Sequence, residues 1–228
     1  ELKKSDFNLK EINVSVWNGL MFINFDKRCN PLESIYEKLE KRINKRNFSS
    51  YQFYKRDSYN ISCNWKIYMD NYLEGLHIPI VHPELNKTIN YKSYKTEIDD
   101  QFSLQWCSID PQLNPYKNDS SEDLIAYYVT IFPNVILNIA PGRLQTNIVE
   151  PIDEKSCLVH FDYYFEQIDE KQVQRDLDFS DIIQKEDIEI CESVQASYEA
   201  EGFKNGIISK RYESGILHFH SRLKEILL

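Results

Sequence analysis

Residues 64–85 of this chain read Asn64-Trp-Lys-Ile-Tyr-Met-Asp-Asn-Tyr-Leu-Glu-Gly-Leu-His77-Ile-Pro-Ile-Val-His82-Pro-Glu-Leu85. The stretch places two histidines five positions apart, with the carboxylates Asp70 and Glu74 shortly before them. Its apolar residues recur at helical spacing and predict one apolar helix face formed by Trp65, Met69, Tyr72, Leu73 and Leu76. Asp70, Glu74 and His77 are spaced for the adjoining face of the same helix.

Pro79 separates the two histidines and predicts an interruption of this helix. Proline lacks a backbone N–H and restricts the conformation of Ile78 before it. In a regular helix, residues five apart point about 140° away from each other. His77 and His82 can therefore bind one metal only if the backbone bends between them. Two histidines near a helix end are more often ordinary polar residues than metal ligands. A third candidate ligand is therefore needed to support a metal site.

A candidate third ligand lies in a predicted helix over residues 176–200. The apolar stripe of this helix consists of Phe179, Ile183, Ile190, Cys191, Val194 and Tyr198. Asp187 falls near the middle of the stripe, where a buried carboxylate needs a cation or a hydrogen-bond partner. Glu186 lies nearer the edge and is the weaker candidate. Two histidines and one carboxylate form the ligand set of non-haem Fe(II) oxygenases, which leaves positions open for O2 and substrate.

The chain resembles a known protein family in several motifs. These are Asn64-Trp65-Lys66, Asp70-Asn71-Tyr72, Glu74-x-x-His77-x4-His82-Pro83, Glu186-Asp187, Val194-Gln195 and Glu213…His218-Phe219-His220. The family is that of the α-subunits of Rieske-type non-haem iron oxygenases, and the chain resembles in particular the choline and carnitine monooxygenase-like group. The resemblance extends over nearly the whole chain.

This resemblance implies a role for each residue of the central stretch. His77, His82 and Asp187 are expected to bind the catalytic iron. Glu74 matches the acidic residue that, in this family, connects the iron site with the Rieske cluster of a neighbouring subunit. Many relatives have aspartate at that position. Asp70, one turn earlier, is a weaker candidate for the same relay, so Glu74 and Asp70 are the expected catalytic carboxylates.

The resemblance also implies an activity, cofactors and partners. The expected reaction is hydroxylation or oxidative N-demethylation of a small quaternary ammonium or aromatic substrate by O2, with Fe(II) as the cofactor. Ring dihydroxylation is a less favoured reaction. In the full-length protein we expect a 2Fe-2S Rieske cluster, a ferredoxin or flavin reductase as the electron donor, and a homotrimer in which electrons cross between subunits.

Alternation of apolar and polar residues predicts strands over residues 51–63, 102–108, 125–132, 135–140, 143–149 and 157–165. Helices are predicted after Pro31, over residues 176–200 and over residues 214–228. Strands between helices, with a long helix near the end, indicate an α+β fold. The resemblance implies the helix-grip (START-like) form of that class, a curved antiparallel sheet around the long C-terminal helix. Residues 86–100 and 110–123 are predicted to be polar loops.

Two domain segments are predicted. Residues 1–30 contain a hairpin pattern around Asn18-Gly19 and resemble the segment that joins the Rieske domain to the catalytic domain in this family. We therefore interpret residues 1–30 as a tail or linker from a Rieske domain, and residues 31–228 as the mononuclear iron catalytic domain.

Composition excludes several classes of protein. The 228 residues carry a formal charge of −9, which argues against nucleic acid as a partner because phosphate binding needs a basic surface. Apolar runs of the length that a membrane span needs do not occur, and the polar start at Glu1 does not resemble a signal peptide. We expect a cytoplasmic protein without a membrane partner.

The five cysteines are widely spaced and form no C-x-x-C motif. Their odd number argues against a disulfide framework, and we interpret them as reduced thiols of the core. A Rieske cluster is bound by two cysteines and two histidines, usually in a C-x-H and a C-x-x-H pair. Because the chain has no C-x-H pair, we expect it to hold no Rieske cluster itself.

Two other functions are compatible with the same residues. Zinc can occupy a site of two histidines and one carboxylate and activate water, so a zinc-dependent hydrolase is the main chemical alternative. A non-catalytic ligand-binding module of the same fold is the second. Polar and aromatic residues of the predicted strands could line a pocket, although only half of them can face it: Tyr127, Tyr128, Asn138, Gln145 and Asn147.

Overall fold

The computed structural model of the chain describes residues 9–43, 46–112, 124–200 and 206–228. It divides into two units, Glu1–Ser50 and Tyr51–Leu228. The boundary at residue 30 between a linker and a catalytic domain stays a prediction.

The first unit contains a hairpin and a helix. Strands β1 (Asn13–Trp17) and β2 (Leu20–Asn24) pair in antiparallel fashion, and helix α1 spans Glu33–Arg42. Asn18 and Gly19 between the strands both have positive φ angles. This is the two-residue turn that an Asn-Gly pair favours, and it confirms the predicted hairpin.

The second unit is built on a seven-stranded sheet. Its strands are β3 (Gln52–Ile61), β4 (Lys95–Ile98), β5 (Phe102–Ser108), β6 (Ile125–Ile131), β7 (Val135–Ala140), β8 (Arg143–Pro151) and β9 (Cys157–Phe165). They lie in the order β3-β9-β8-β7-β6-β5-β4, and every neighbouring pair is antiparallel. The strands predicted from alternation are therefore all present, and β4 is an additional one.

Helices pack on this sheet to form the main core. They are α2 (Trp65–Tyr72), α3 (Ile78–Val81), α4 (Pro83–Thr88), α5 (Glu170–Glu199) and α6 (Ser214–Leu227). One apolar cluster joins residues of α2, α5 and α6 to residues of β3, β8 and β9. The predicted α+β fold, with a large antiparallel sheet and a long helix near the C-terminus, is confirmed. None of the helices in the described part of the chain has the length and apolarity that a membrane span requires.

Several local predictions were wrong. Helix α2 ends at Tyr72, so Glu74 and His77 lie beyond it rather than on its face. Residues 86–100 are not a loop, because they contain the end of α4, a 3-10 turn and strand β4. Helix α5 begins at Glu170, and Val194 and Tyr198 near its end are exposed rather than buried. Most of the predicted loop 110–123 lies outside the described residues.

Candidate metal centre

The histidine pair lies where the chain leaves α2 and starts two short helices. His77 precedes α3, and His82 stands between α3 and α4. Pro79 and Pro83 occupy the first turns of these helices, where a proline costs no backbone hydrogen bond. The two prolines thus begin new helices rather than bend one continuous helix. As a result the two imidazole rings lie together, with ring centres 5.0 Å apart and an interplanar angle of 76°.

Asp187 of α5 completes a cluster of three potential ligands. One ligand atom each of His77, His82 and Asp187 lies within 4.8 Å of the others. Asp187 Oδ1 is 3.1 Å from His82 Nε2 and 3.8 Å from His77 Nε2. The structure therefore brings together the three residues that the sequence had suggested from distant positions.

Each histidine of this cluster has a carboxylate of its own on the opposite ring nitrogen. Glu74 Oε1 lies 2.5 Å from His77 Nδ1, and Glu186 Oε2 lies 2.7 Å from His82 Nδ1. With both Nδ1 atoms engaged, both Nε2 atoms are directed to Asp187. A carboxylate on the far nitrogen fixes the orientation of a metal-binding imidazole. Sequence reasoning had considered Glu186 only as a weaker ligand, and its contact with His82 was missed because it depends on tertiary structure.

Hydrogen bonds and burial also hold Asp187 and His82 in place. The Asn71 side-chain amide donates to Asp187 Oδ1 at 2.7 Å. His82 is 1% exposed. Its burial would lower the pKa of the imidazole, but the hydrogen bonds and charges of Asp187 and Glu186 outweigh burial and raise that pKa above its ordinary value.

A cavity of about 120 Å³ lies beside the three residues. A bound water needs only about 10–15 Å³, so the cavity accommodates a small organic molecule. Its aromatic lining residues are Tyr68, Tyr72, Tyr94, Tyr128, Phe161 and Phe179. Burial raises the pKa of Tyr68, Tyr72 and Tyr94 well above the ordinary range, which keeps these hydroxyl groups neutral. Of the two neighbouring tyrosines of β6, Tyr128 lines the cavity and Tyr127 is absent from its lining.

A row of polar side chains forms another wall of the cavity. The Tyr72 hydroxyl donates to Asn138 Oδ1 at 2.8 Å, and Gln145 Nε2 donates to Asn147 Oδ1 at 2.7 Å. Arg143 donates to Gln145 Oε1. Gln145 and Asn147 both face the cavity because they are two positions apart on β8.

Arg143 carries the positive charge of this polar wall. Its Nε lies 2.6 Å from Asp176 Oδ2 in a buried ion pair. Burial raises the pKa of Asp176 to about 6, although Arg143 alone would lower it. The pair therefore keeps the wall close to electrically neutral.

Asp70, the second predicted catalytic carboxylate, contacts a different histidine. Its two oxygens lie 2.9 and 3.0 Å from His220 Nε2 of α6. The residues that line the cavity within the described part of the chain do not include Asp70. Its role in the relay stays a prediction.

The chain contains one C-x-x-H spacing, Cys157 to His160, which is the spacing of one of the two Rieske ligand pairs. On strand β9, residues three apart point to opposite faces. Cys157 is 1% exposed in the core, whereas His160 contacts Ser58 and Glu150. The two side chains therefore cannot bind one cluster together.

Residues 48–228 match the family described as "Ring hydroxylating alpha subunit (catalytic domain)". The chain belongs to this family. The match confirms the resemblance to non-haem iron oxygenases that the motifs had indicated.

Known relatives of this alpha-subunit domain are similar over most of the chain. Choline monooxygenase from chloroplasts of Arabidopsis thaliana is 35% identical over 177 residues, which are 74% of this chain and 40% of the relative. The carnitine monooxygenase oxygenase subunit of Escherichia coli K12 is 26% identical over 96% of this chain and 62% of its own. The chain thus spans about half the length of the curated relatives it matches.

A solved structure shows the same fold. It is that of a quaternary ammonium Rieske monooxygenase, with a TM-score of 0.78 and 22% identity. The alignment covers 94% of this chain and 61% of that protein. The likeness supports the α+β architecture described for residues 51–228.

Proposed function

We propose that this alpha-subunit domain is the mononuclear iron site of a Rieske-type oxygenase, with Fe(II) held by His77, His82 and Asp187. The observation that carries the proposal is the convergence of two imidazole nitrogens and one carboxylate beside a cavity of substrate size. When bound, Fe(II) supplies the redox chemistry by which O2 is activated next to the substrate.

The two donor separations measured from Asp187 fit a single ion. Two atoms that each lie about 2.1 Å from one ion can be at most about 4.2 Å apart. The distances from Asp187 Oδ1 to His82 Nε2 and His77 Nε2, 3.1 and 3.8 Å, lie below that limit. Two histidines and one carboxylate are the ligand set of non-haem Fe(II) oxygenases, and the two imidazole nitrogens argue against calcium, which takes oxygen ligands.

Glu74 is proposed to connect this site to the electron donor. It is 9% exposed, lies against His77 Nδ1 and accepts a hydrogen bond from the backbone N–H of Leu76. These contacts hold its carboxylate next to the imidazole that binds iron. A Rieske cluster of a neighbouring subunit in a homotrimer, reduced by a ferredoxin or flavin reductase, is the proposed partner. Asp70 is the weaker candidate for this relay.

The proposed reaction is hydroxylation or oxidative N-demethylation of a small molecule. Two of the relatives are named for choline and carnitine, which are quaternary ammonium compounds. Faces of Tyr and Phe rings attract such cations, and six of the residues that line this cavity are aromatic. A quaternary ammonium compound is therefore the favoured substrate, and an aromatic compound is the second candidate.

Anaerobic titration with Fe(II) tests the proposal. The wild-type chain should bind one Fe(II), His77→Ala should bind none, and the control His160→Ala should bind as the wild type does. Addition of a Rieske domain and its reductase should then give O2-dependent oxidation of substrate. Equal binding by His77→Ala would contradict the site. Hydrolysis of substrate with zinc and without O2 would favour a hydrolase, and substrate binding without any metal affinity would favour a binding module.

A further inference from the structure

We propose that Gln184 selects substrates that carry an oxygen acceptor, by donating a hydrogen bond from its side-chain amide inside the cavity. The inference rests on the proposed function, because it assumes that the cavity beside His77, His82 and Asp187 receives the substrate. It adds a residue that determines specificity and the chemical group that the residue recognises.

Gln184 is a buried amide with an unused donor. Its side chain lines the cavity and is 1% exposed. Its Oε1 accepts a hydrogen bond from the Tyr68 hydroxyl at 2.9 Å, but among the described residues no acceptor lies within hydrogen-bonding distance of its Nε2. A buried donor without an acceptor is unfavourable.

The orientation of this amide follows from Tyr68. The Tyr68 ring is buried, and its hydroxyl has a hydrogen to donate. Oxygen is the only atom of the Gln184 amide that can accept that hydrogen. The arrangement that satisfies Tyr68 therefore leaves the NH2 group of Gln184 without a partner.

Other amides of the cavity differ from Gln184 in this respect. Asn71 donates to Asp187, Gln105 donates to the backbone carbonyl of Tyr72, and Gln145 donates to Asn147. Their NH2 groups are thus engaged within the protein. Gln184 is left to donate to a molecule in the cavity.

Gln184 is also close to the metal centre. It precedes Asp187 by three positions on α5, and side chains at that spacing share a face of a helix with about 5–6 Å between their Cβ atoms. A substrate oxygen held by Gln184 Nε2 places the neighbouring carbons of a small molecule beside the three ligands. The substrate class that fits carries a hydroxyl, carbonyl or carboxylate group a few bonds from the carbon that is oxidised, rather than being a plain hydrocarbon.

The test compares pairs of compounds of similar shape in which a methyl group replaces a hydroxyl group. Choline is paired with propyltrimethylammonium, and benzyl alcohol with ethylbenzene. Equilibrium binding is measured on the full chain without metal or O2, so the result is independent of turnover and of the proposed oxygenation. We expect the wild type to bind the oxygen-bearing member of at least one pair about tenfold more tightly, because its partner leaves a buried donor unpaired.

Two variants distinguish the loss of the Gln184 hydrogen-bond donor from a general loss of folding. Tyr68→Phe keeps the Gln184 amide, although it removes the hydroxyl that orients it, and should keep a measurable preference for the oxygen-bearing compound. The double variant Tyr68→Phe/Gln184→Met removes both hydrogen-bonding partners together, a change that a folded core tolerates better than the loss of one partner, and should lower the preference to about one. Circular dichroism checks that both variants fold.

Three results would overturn the inference. They are a preference in the double variant as large as that in Tyr68→Phe, equal affinities within both pairs for the wild type, and the absence of binding for all four compounds. If the wild type binds Fe(II) and oxidises substrate while any of these three results is obtained, the proposed function stands and the role of Gln184 is refuted.

Discussion

At the scale of single residues, the candidate centre depends on side chains that hold the ligands as much as on the ligands themselves. Glu74 and Glu186 each engage the Nδ1 atom of one histidine, and Asn71 donates to Asp187. These contacts place both Nε2 atoms on the side of Asp187. The site is therefore oriented by the protein before any ion enters it.

Replacement of Glu186 tests this orientation directly. In Glu186→Gln the hydrogen bond to His82 Nδ1 is weakened while the side chain keeps its shape, and we expect the affinity for Fe(II) to fall about 10- to 100-fold. The measurement is an anaerobic titration with a competing chelator. Glu189→Gln, on an exposed position of the same helix, is the matched control and should bind Fe(II) as the wild type does. Equal affinities for the two variants would contradict an orienting role of Glu186.

The contact between His220 and Asp70 predicts a pH-dependent stability. The hydrogen bond that His220 Nε2 donates to the Asp70 carboxylate raises the pKa of His220 above its ordinary value of 6.5. Protonated His220 thus stabilises the folded state fully below pH 6.5, and this stabilisation is lost as the pH rises through the raised pKa. The melting temperature of the wild type should exceed that of His220→Gln most at low pH and least at high pH.

Asp70→Asn should show the same pH-dependent difference from the wild type, because it removes the charge that raises the pKa of His220. A difference in melting temperature that stays constant across the pH range in both variants would contradict this explanation.

At the scale of elements, the candidate metal centre is formed by the starts of the short helices α3 and α4 and by the long helix α5. Pro79 and Pro83 begin α3 and α4 and so place His77 and His82 side by side. Helix α5 brings Asp187 to them. Of its buried polar residues, Ser180 and Gln184 line the cavity, whereas Asp176 pairs with Arg143 and Gln195 bonds to Asn64 and Glu199.

The close approach of α6 to the end of α2 gives a prediction at this scale. A Cβ atom on Gly215 would clash with the backbone carbonyl oxygen of Leu73. A change of side-chain rotamer cannot relieve this clash, because both the Cβ position and the carbonyl are fixed by the backbone. Gly215→Ala should therefore lower the free energy of unfolding by about 1–3 kcal/mol, as overpacking does. Urea denaturation measures it. Gly206→Ala, at an exposed position, is the control, and an equal stability of both variants would show that α6 adjusts freely.

At the scale of the whole molecule, much of the fold could be predicted from the chain. Alternation identified β5, β7 and β9 with their ends, because half-buried strands must alternate. The end of α2 at Tyr72 could not be predicted, since the residues that follow have helical spacing and leave the helix only to pack in the tertiary structure. The exposed Val194 and Tyr198 were misplaced for a similar reason: apolar spacing alone cannot tell how far a helix stays in contact with a sheet.

The same limit applies to the candidate site. His77, His82 and Asp187 could be proposed from ligand types and from the cost of a buried carboxylate. The contacts of Glu186 with His82 and of His220 with Asp70 could not, because they join residues more than 100 positions apart. The unpaired amide of Gln184 is visible only once its surroundings are known.

The cysteines and histidines of the chain also give a spectroscopic prediction. Cys157 and His160 point to opposite faces of β9, and the sequence has no C-x-H pair, so the described residues do not offer the paired cysteine and histidine ligands of a Rieske cluster. The purified, iron-loaded chain should lack the visible absorption of such a cluster and should turn over substrate only after a separate Rieske domain is added. Sustained oxygenation with a reductase alone would show another route for electrons.

The most direct test of the account is a crystal of the chain soaked anaerobically with Fe(II), with anomalous diffraction data collected at the iron absorption edge. We expect one strong anomalous peak about 2.0–2.3 Å from His77 Nε2, His82 Nε2 and a carboxylate oxygen of Asp187. A fully loaded crystal without a peak at these atoms, or with its iron bound elsewhere, would contradict the assignment of this site as the catalytic iron centre.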